Sequence, residues 1–101
     1  MKMLLTVTIP HEPFNSAVRD GTVGETISQI LQETKPEAVY FTEDGGQRGA
    51  VMIVNVEKSS QVPAYAEPWF LHFNADCKFR IVMTPEDLKQ ARLDELGKKW
   101  S

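Results

Sequence analysis

Two kinds of hydrophobic periodicity alternate along this chain in an order that leaves few folds open. Lys2 to Ile9 sets Met3, Leu5, Val7 and Ile9 on one face and Leu4, Thr6 and Thr8 on the other. That period of two predicts a strand, stopped by Pro10. Phe14 to Thr34 turns helical, with Val23, Ile27, Ile30, Leu31 and Thr34 on one face, Asn15 or Ser16 as cap, and Pro36 as terminator. Phe14, Ala17 and Val18 fall on a different face, so the phase breaks near Asp20-Gly21, and Thr22-Val23-Gly24-Glu25 has capping-box spacing. One kinked helix, or a short helix followed by a longer one, satisfies this pattern. Glu37 to Glu43 and Gln47 to Glu57 return to period two. They are joined by Asp44-Gly45-Gly46, whose glycines supply the positive φ angles of a hairpin.

The second half repeats the theme. Ser59 or Ser60 caps a helix that tolerates Pro63 in its first turn and carries Val62, Tyr65, Ala66, Trp69, Phe70 and Phe73 as a broad apolar stripe. Pro68 is expected to kink that helix or end its regular part, because it lacks an N–H and crowds the carbonyl of Ala64. Cys77 to Thr84 predicts a fourth strand, with Cys77, Phe79, Ile81 and Met83 opposite Lys78, Arg80 and Val82. Thr84-Pro85-Glu86-Asp87 then opens a last helix with a cap, a first-turn proline and acids against the positive end of the dipole; Gly97 is expected to close it.

Strand, helix, strand, strand, helix, strand is the split βαβ arrangement. It predicts one α+β, ferredoxin-like βαββαβ domain over residues 1–101, with a four-stranded antiparallel sheet, helices on one face and an extra C-terminal helix. Most of the strands carry apolar residues on both faces, whereas the helices can cover only one. The uncovered face would exceed the few hundred Å² of apolar patch that a monomer tolerates. A second copy, sheet face to sheet face in a two-fold dimer, is the economical cover.

Composition narrows the classes. Hydrophobic residues at 42% and charged residues at 25% fit an ordinary globular domain, and a net charge of -3 with scattered Lys and Arg argues against nucleic acid. The single cysteine cannot form an internal disulfide. Met3 to Ile9 is too short for a signal peptide, and no apolar run reaches the roughly 20 residues that cross a bilayer, so a cytoplasmic protein without a membrane partner is expected.

The run Lys35-Pro36-Glu37-Ala38-Val39-Tyr40-Phe41, then Arg48-Gly49, Glu67-Pro68-Trp69-Phe70 and Val82-Met83-Thr84-Pro85-Glu86-Asp87-Leu88, resembles a family of short, uncharacterised bacterial proteins. That family looks like part of the ferredoxin-like dimeric α+β-barrel superfamily, which includes muconolactone isomerase, small antibiotic monooxygenases and stress-responsive barrel proteins. The resemblance implies a homodimer whose sheets form a barrel, with a pocket in each subunit between sheet and helices. It carries over no catalytic site.

The residues themselves offer a few candidates. His11, beside Glu12, follows the first strand and could exchange protons at a pocket mouth; the alternative is a solvated loop pair. His72 lies three residues from Trp69, next to Phe70 and Phe73, which suggests either an aromatic pocket with one titratable group or a boundary histidine. Tyr40 and Arg80 sit within strands, where a buried polar group needs a partner: a ligand carboxylate or enolate in one reading, a local or partner-subunit group in the other. Cys77 has no neighbouring base, and the two histidines and one cysteine show no metal-ligand spacing, so neither metal nor cofactor is expected. The leading functional expectation is a homodimer that binds a small apolar or aromatic acid, as a cofactor-free isomerase or monooxygenase. Its site would be lined by Tyr40, Trp69, Phe70 and Phe73, with His11, His72 or Arg80 as polar contacts. The alternative is a non-catalytic structural or interaction module that also acts as a homodimer.

Overall fold

The computed structural model describes Met1–Ser101. Its elements are β1 (Lys2–Ile9), α1 (His11–Asp20), α2 (Val23–Thr34), β2 (Ala38–Asp44), β3 (Gln47–Asn55), a single 3-10 turn (Ser59–Gln61), α3 (Val62–Phe73), β4 (Asp76–Ile81), α4 (Pro85–Gln90) and α5 (Leu93–Lys99). The four strands form one antiparallel sheet in the order β2-β3-β1-β4. Both strand-helix-strand crossings therefore leave a gap of one strand, which makes the fold ferredoxin-like, as the periodicity predicts.

Register decides which residues are core. Leu5 faces Met52 on one side and Phe79 on the other, and Val7 faces Ala50 and Cys77. The odd-numbered residues of β1 and the even-numbered residues of β3 thus share the face under the helices, where Leu5, Val7, Ile9, Met52, Val54 and Val56 are almost wholly excluded from water. Trp69 and Phe73 from α3, Phe14 from α1 and Ile30 from α2 complete that layer. Phe73 meets Phe14 at 5.0 Å and Trp69 at 6.0 Å between ring centroids, in tilted geometries. Arg48 on β3 lies over the Phe14 ring at 4.5 Å and donates a 2.7 Å hydrogen bond to Asn15 Oδ1, tying α1 to the sheet.

The break between the first two helices is Gly21, whose φ of 75° lets its own N–H reach Val18 and the Thr22 N–H reach Ala17, a Schellman-type ending. Of the two arrangements open to the sequence, the structure adopts the short helix followed by the longer one. At the hairpin, Gly45 and Gly46 both take positive φ, at 58° and 83°, and Asp44 pairs with Gln47, as a two-residue primed turn requires.

Several local expectations need correction. Helix α1 begins at His11 with neither Asn15 nor Ser16 as its cap, and Gln61, not Ser59 or Ser60, stands at the cap of α3. Of the two outcomes expected at Pro68, α3 does not end there but runs on to Phe73. Ala64, whose carbonyl loses its helical partner, faces solvent, so water can take the place of the missing N–H. The fourth strand ends at Ile81, not Thr84; its last bond to β1 runs from the Val82 N–H to the Lys2 carbonyl. Gly97 lies inside α5; the C-terminal segment breaks instead at Arg92, which takes φ 57° while its carbonyl accepts the N–H groups of Glu95 and Leu96. The extra C-terminal helix is therefore two short helices.

Trp69→Ala should lower unfolding stability by about 3–5 kcal/mol in urea titrations, since it opens a cavity at the centre of the layer. Leu71→Ala, on the outer side of the same helix, should change it by less than about 0.5 kcal/mol. Similar losses at both positions would mean that the core is not where the register puts it.

Candidate functional site

The candidate residues are divided among five places. Trp69 and Phe73 are core residues, 1% and 2% exposed, and together with Phe14 they fill the space between sheet and helices where the resemblance implies a pocket. Phe70 points away from that layer and is exposed. His72 lies in a groove of about 400 Å³ between α2 and α3, near Glu33, Glu67 and Leu71; it makes no hydrogen bond and faces Phe73 with ring centroids 6.1 Å apart. His11 is exposed at the start of α1, on a different part of the surface.

Glu12 does not act on His11. Its Oε2 accepts from the Ser16 hydroxyl at 2.7 Å and the Ser16 N–H at 3.2 Å, and its Oε1 meets Arg19 at 3.4 Å. The Ser16 hydroxyl first, and the Ser16 N–H and Arg19 after it, hold the Glu12 carboxyl below its ordinary range against a smaller opposing effect of desolvation. Glu12 thus serves the first turn of α1, where the free N–H groups of a helix favour a carboxylate.

Tyr40 and Arg80 do share a surface, the face of the sheet that carries no helix. Along one row Arg80 stands beside Leu4, Ile53 and Ala38; along the next, Lys78 stands beside Thr6, Val51 and Tyr40. Leu4, Ala38, Val51 and Ile53 are half-buried and form a shallow apolar hollow of about 180 Å³ under the Tyr40 ring. Tyr40 is 70% exposed, and Lys78 and Arg80 have no ion-pair partner within the chain. Tyr40 is on edge strand β2 and Arg80 on the opposite edge, β4. Three inter-strand spacings and one row along the strands put them about 16 Å apart, too far for one small ligand on a single sheet.

One end of this face is closed by charge. Lys2 Nζ reaches Glu37 at 2.6 Å, and Asn55 Nδ2 also donates to Glu37. These hydrogen bonds, Lys2 first and Asn55 second, hold the Glu37 carboxyl below its ordinary range. The row of the face nearest the hairpin is polar, with Thr8 Oγ1 donating to Asp44 at 3.4 Å and with Gly49 in place of a side chain. A Cβ on Gly49 would come within 3.1 Å of the Val7 carbonyl, so a side chain there would have to push that backbone aside by a few tenths of an ångström. Periodicity singled out Tyr40 and Arg80, but the hollow beside them is made by Leu4, Val51 and Ile53, which read as ordinary strand residues.

The only cysteine, Cys77, lies on the helix side of β4. Burial first, and neighbouring Asp76 second, push its thiol up from 9.0 to about 11. No group of three or more His, Cys, Asp or Glu side chains is placed to hold a metal ion, and no helix is long and apolar enough to cross a membrane.

Two titrations test these assignments. The folded-state value of Glu12 is depressed, so its contribution to stability is present above the unfolded value near 4.5 and is lost as pH falls through the folded one. Glu12→Gln should therefore lower stability at neutral pH and flatten the acid limb of the stability profile; an unchanged acid limb would remove Glu12 from its capping role. Cys77 is raised, so its contribution is present below about 9 and fades as pH rises through about 11. At mildly alkaline pH the native thiol should react with a maleimide far more slowly than the same chain in guanidinium, and equal rates would contradict the assignment.

No family model and no curated protein matches this chain. Among solved structures it is similar to the de novo designed protein Ferredog-Diesel, with 13% sequence identity and a TM-score of 0.46 over 80% of this chain and 85% of that one.

Proposed function

We propose that this protein works as a homodimer joined through the open sheet face, and that it binds a small apolar or aromatic acid between the two sheets. The observation that carries the reading is the composition of that face. A continuous apolar floor, Leu4, Ala38, Val51 and Ile53, lies between the Tyr40 hydroxyl on one edge and the unpaired cations Lys78 and Arg80 on the other. A floor of that kind buries a ring or alkyl chain, a guanidinium takes a carboxylate through two parallel hydrogen bonds, and a phenol donates to a carbonyl or enolate oxygen.

The separation of about 14 Å between the Tyr40 edge and the edge that carries Lys78 and Arg80 gives the pairing its geometry. With a two-fold axis running along the strands, β2 of one copy lies over β4 of the other, about 10 Å away. Tyr40 of one copy then faces Lys78 of the other across the gap, with Arg80 one row, about 7 Å, along the strand, and each dimer has two equivalent sites. The resemblance to the dimeric α+β-barrel superfamily, and to the uncharacterised bacterial family within it, supports the same assembly. In that superfamily's isomerases and monooxygenases such a ligand is transformed without a cofactor, and Tyr40 and Arg80 are the groups that would act on it here.

Native mass spectrometry on gently purified protein tests the assembly, and benzoate serves as the probe for the site. The expected result is a dimer in which benzoate shifts the methyl resonances of Leu4, Val51 and Ile53, with about tenfold weaker binding in Arg80→Ala, the scale of one lost charge-assisted contact. A stable monomer would overturn the reading. A dimer whose methyl groups do not respond would favour the non-catalytic module, which is also the reading favoured by the filled layer of Phe14, Trp69 and Phe73.

A further inference from the structure

Beyond Ile81 the chain leaves the body of the protein. The last hydrogen bond that ties it back runs from the Val82 N–H to the Lys2 carbonyl; every hydrogen bond and ion pair of residues 84–101 is made within that segment. The molecule measures 60 × 28 × 20 Å with a radius of gyration of 17.2 Å, against about 13 Å for a compact chain of this length. The excess is this arm. All residues of α4 and α5 are exposed, among them Leu88, Leu93 and Leu96, as is Trp100 just after α5, and Ile81 and Met83 continue the apolar run back to β4.

Helices of 6 and 7 residues do not persist in water by themselves, because helices shorter than about 12–15 residues do not recover the cost of nucleation. Yet each is well formed in sequence terms. Thr84 and Asp87 cap α4 reciprocally, and both helices have acids in the first turn and lysine in the last. Capping with an unburied apolar side describes a segment that folds against something else.

We infer that the C-terminal arm, residues 84–101, packs against the same arm of a second copy, α5 against α5 in antiparallel sense. This rests on the two-copy assembly proposed above and adds to it a second, separate contact. Three observations select this occupant. A four-stranded face of about 19 by 20 Å offers about 400 Å² per copy, so two such faces bury about 800 Å² in total. That falls short of the ~1,200–2,000 Å² of a stable interface, and the arms supply the difference. A two-fold axis along the strands also sends both arms out from the same end of the sheet sandwich, because both β4 strands end there, and it pairs α5 with α5 in antiparallel sense when the helices lie across that axis. Finally, the charges are self-complementary: α5 begins with Asp94 and Glu95 and ends with Lys98 and Lys99. Antiparallel pairing sets the acids of each copy against the lysines of the other, with Leu93, Leu96 and Trp100 between them.

The test uses the full chain and variants confined to the arm, which leave the core untouched. Leu93→Ser with Leu96→Ser should weaken dimerisation at least about tenfold, as should Asp94→Lys with Glu95→Lys, and Lys98→Glu with Lys99→Glu. Mixing the two charge-reversed proteins should restore a dimer, read as the heterodimer mass in native mass spectrometry. Loss of helix propensity alone would not give that rescue. If the parent chain dimerises and the Leu93/Leu96 variant dimerises equally well, the arm docks on its own chain or elsewhere; this inference then fails while the sheet-face assembly stands. Charge-reversed proteins that fail to form the heterodimer would overturn the antiparallel pairing. A parent chain that is monomeric would overturn both.

Discussion

The burial of Trp69 and Phe73 against the odd-numbered residues of β1 decides which side of the sheet is core, and most other features follow from it. β1 is a central strand, paired with β3 and β4, so its register assigns a face to every residue of three strands at once. A slip by one residue would exchange Leu5 and Val7 for Leu4 and Thr6 and put the hydroxyl of Thr6 under the indole. The aromatic groups of α3 and α1 then fill the layer completely. That completeness leaves no chamber on the helix side and moves attention to the other face.

The open face has the opposite character. It is apolar in the middle, aromatic at one edge and cationic at the other, while the Lys2, Glu37 and Asn55 cluster closes one end with mutually satisfied charges. Exposed apolar floors of this kind are costly in water, and unpaired Arg and Lys beside them offer direction to whatever covers them. The C-terminal arm shows the same imbalance in another form, with well-capped short helices whose leucines and tryptophan meet nothing in their own chain. The assembly proposed above would resolve both: two sheets would cover each other, and two arms that leave the same end of the sandwich would cover each other.

Much of the fold was legible before any coordinates. Period-two alternation, the Gly45-Gly46 turn, the phase break at Gly21 and the Thr84 cap all depend on interactions within a few residues, and each appears where the pattern puts it. The departures have a common cause as well. Pro68 lies inside its helix, where exposed Ala64 leaves its carbonyl open to water, and β4 ends where its last bond to β1, from Val82 to Lys2, is made; both depend on what lies across space, not along the chain. The aromatic candidates show the same limit. Trp69, Phe70 and Phe73 form one stripe in sequence, yet two are core and one is exposed, because the width of the sheet determines how much of the stripe can be covered.

The element order, the ferredoxin-like class and the existence of a second apolar sheet face are thus local properties of the chain, since they follow from periodicity and from counting faces against helices. Which residues occupy that face, and how far apart they stand, depends on strand register. Alternation divides a strand into two sets but does not say which set meets the helices. Register alone places Tyr40 and Arg80 on one surface at opposite edges, and only the path of the chain beyond Ile81 leaves the last two helices without a surface of their own.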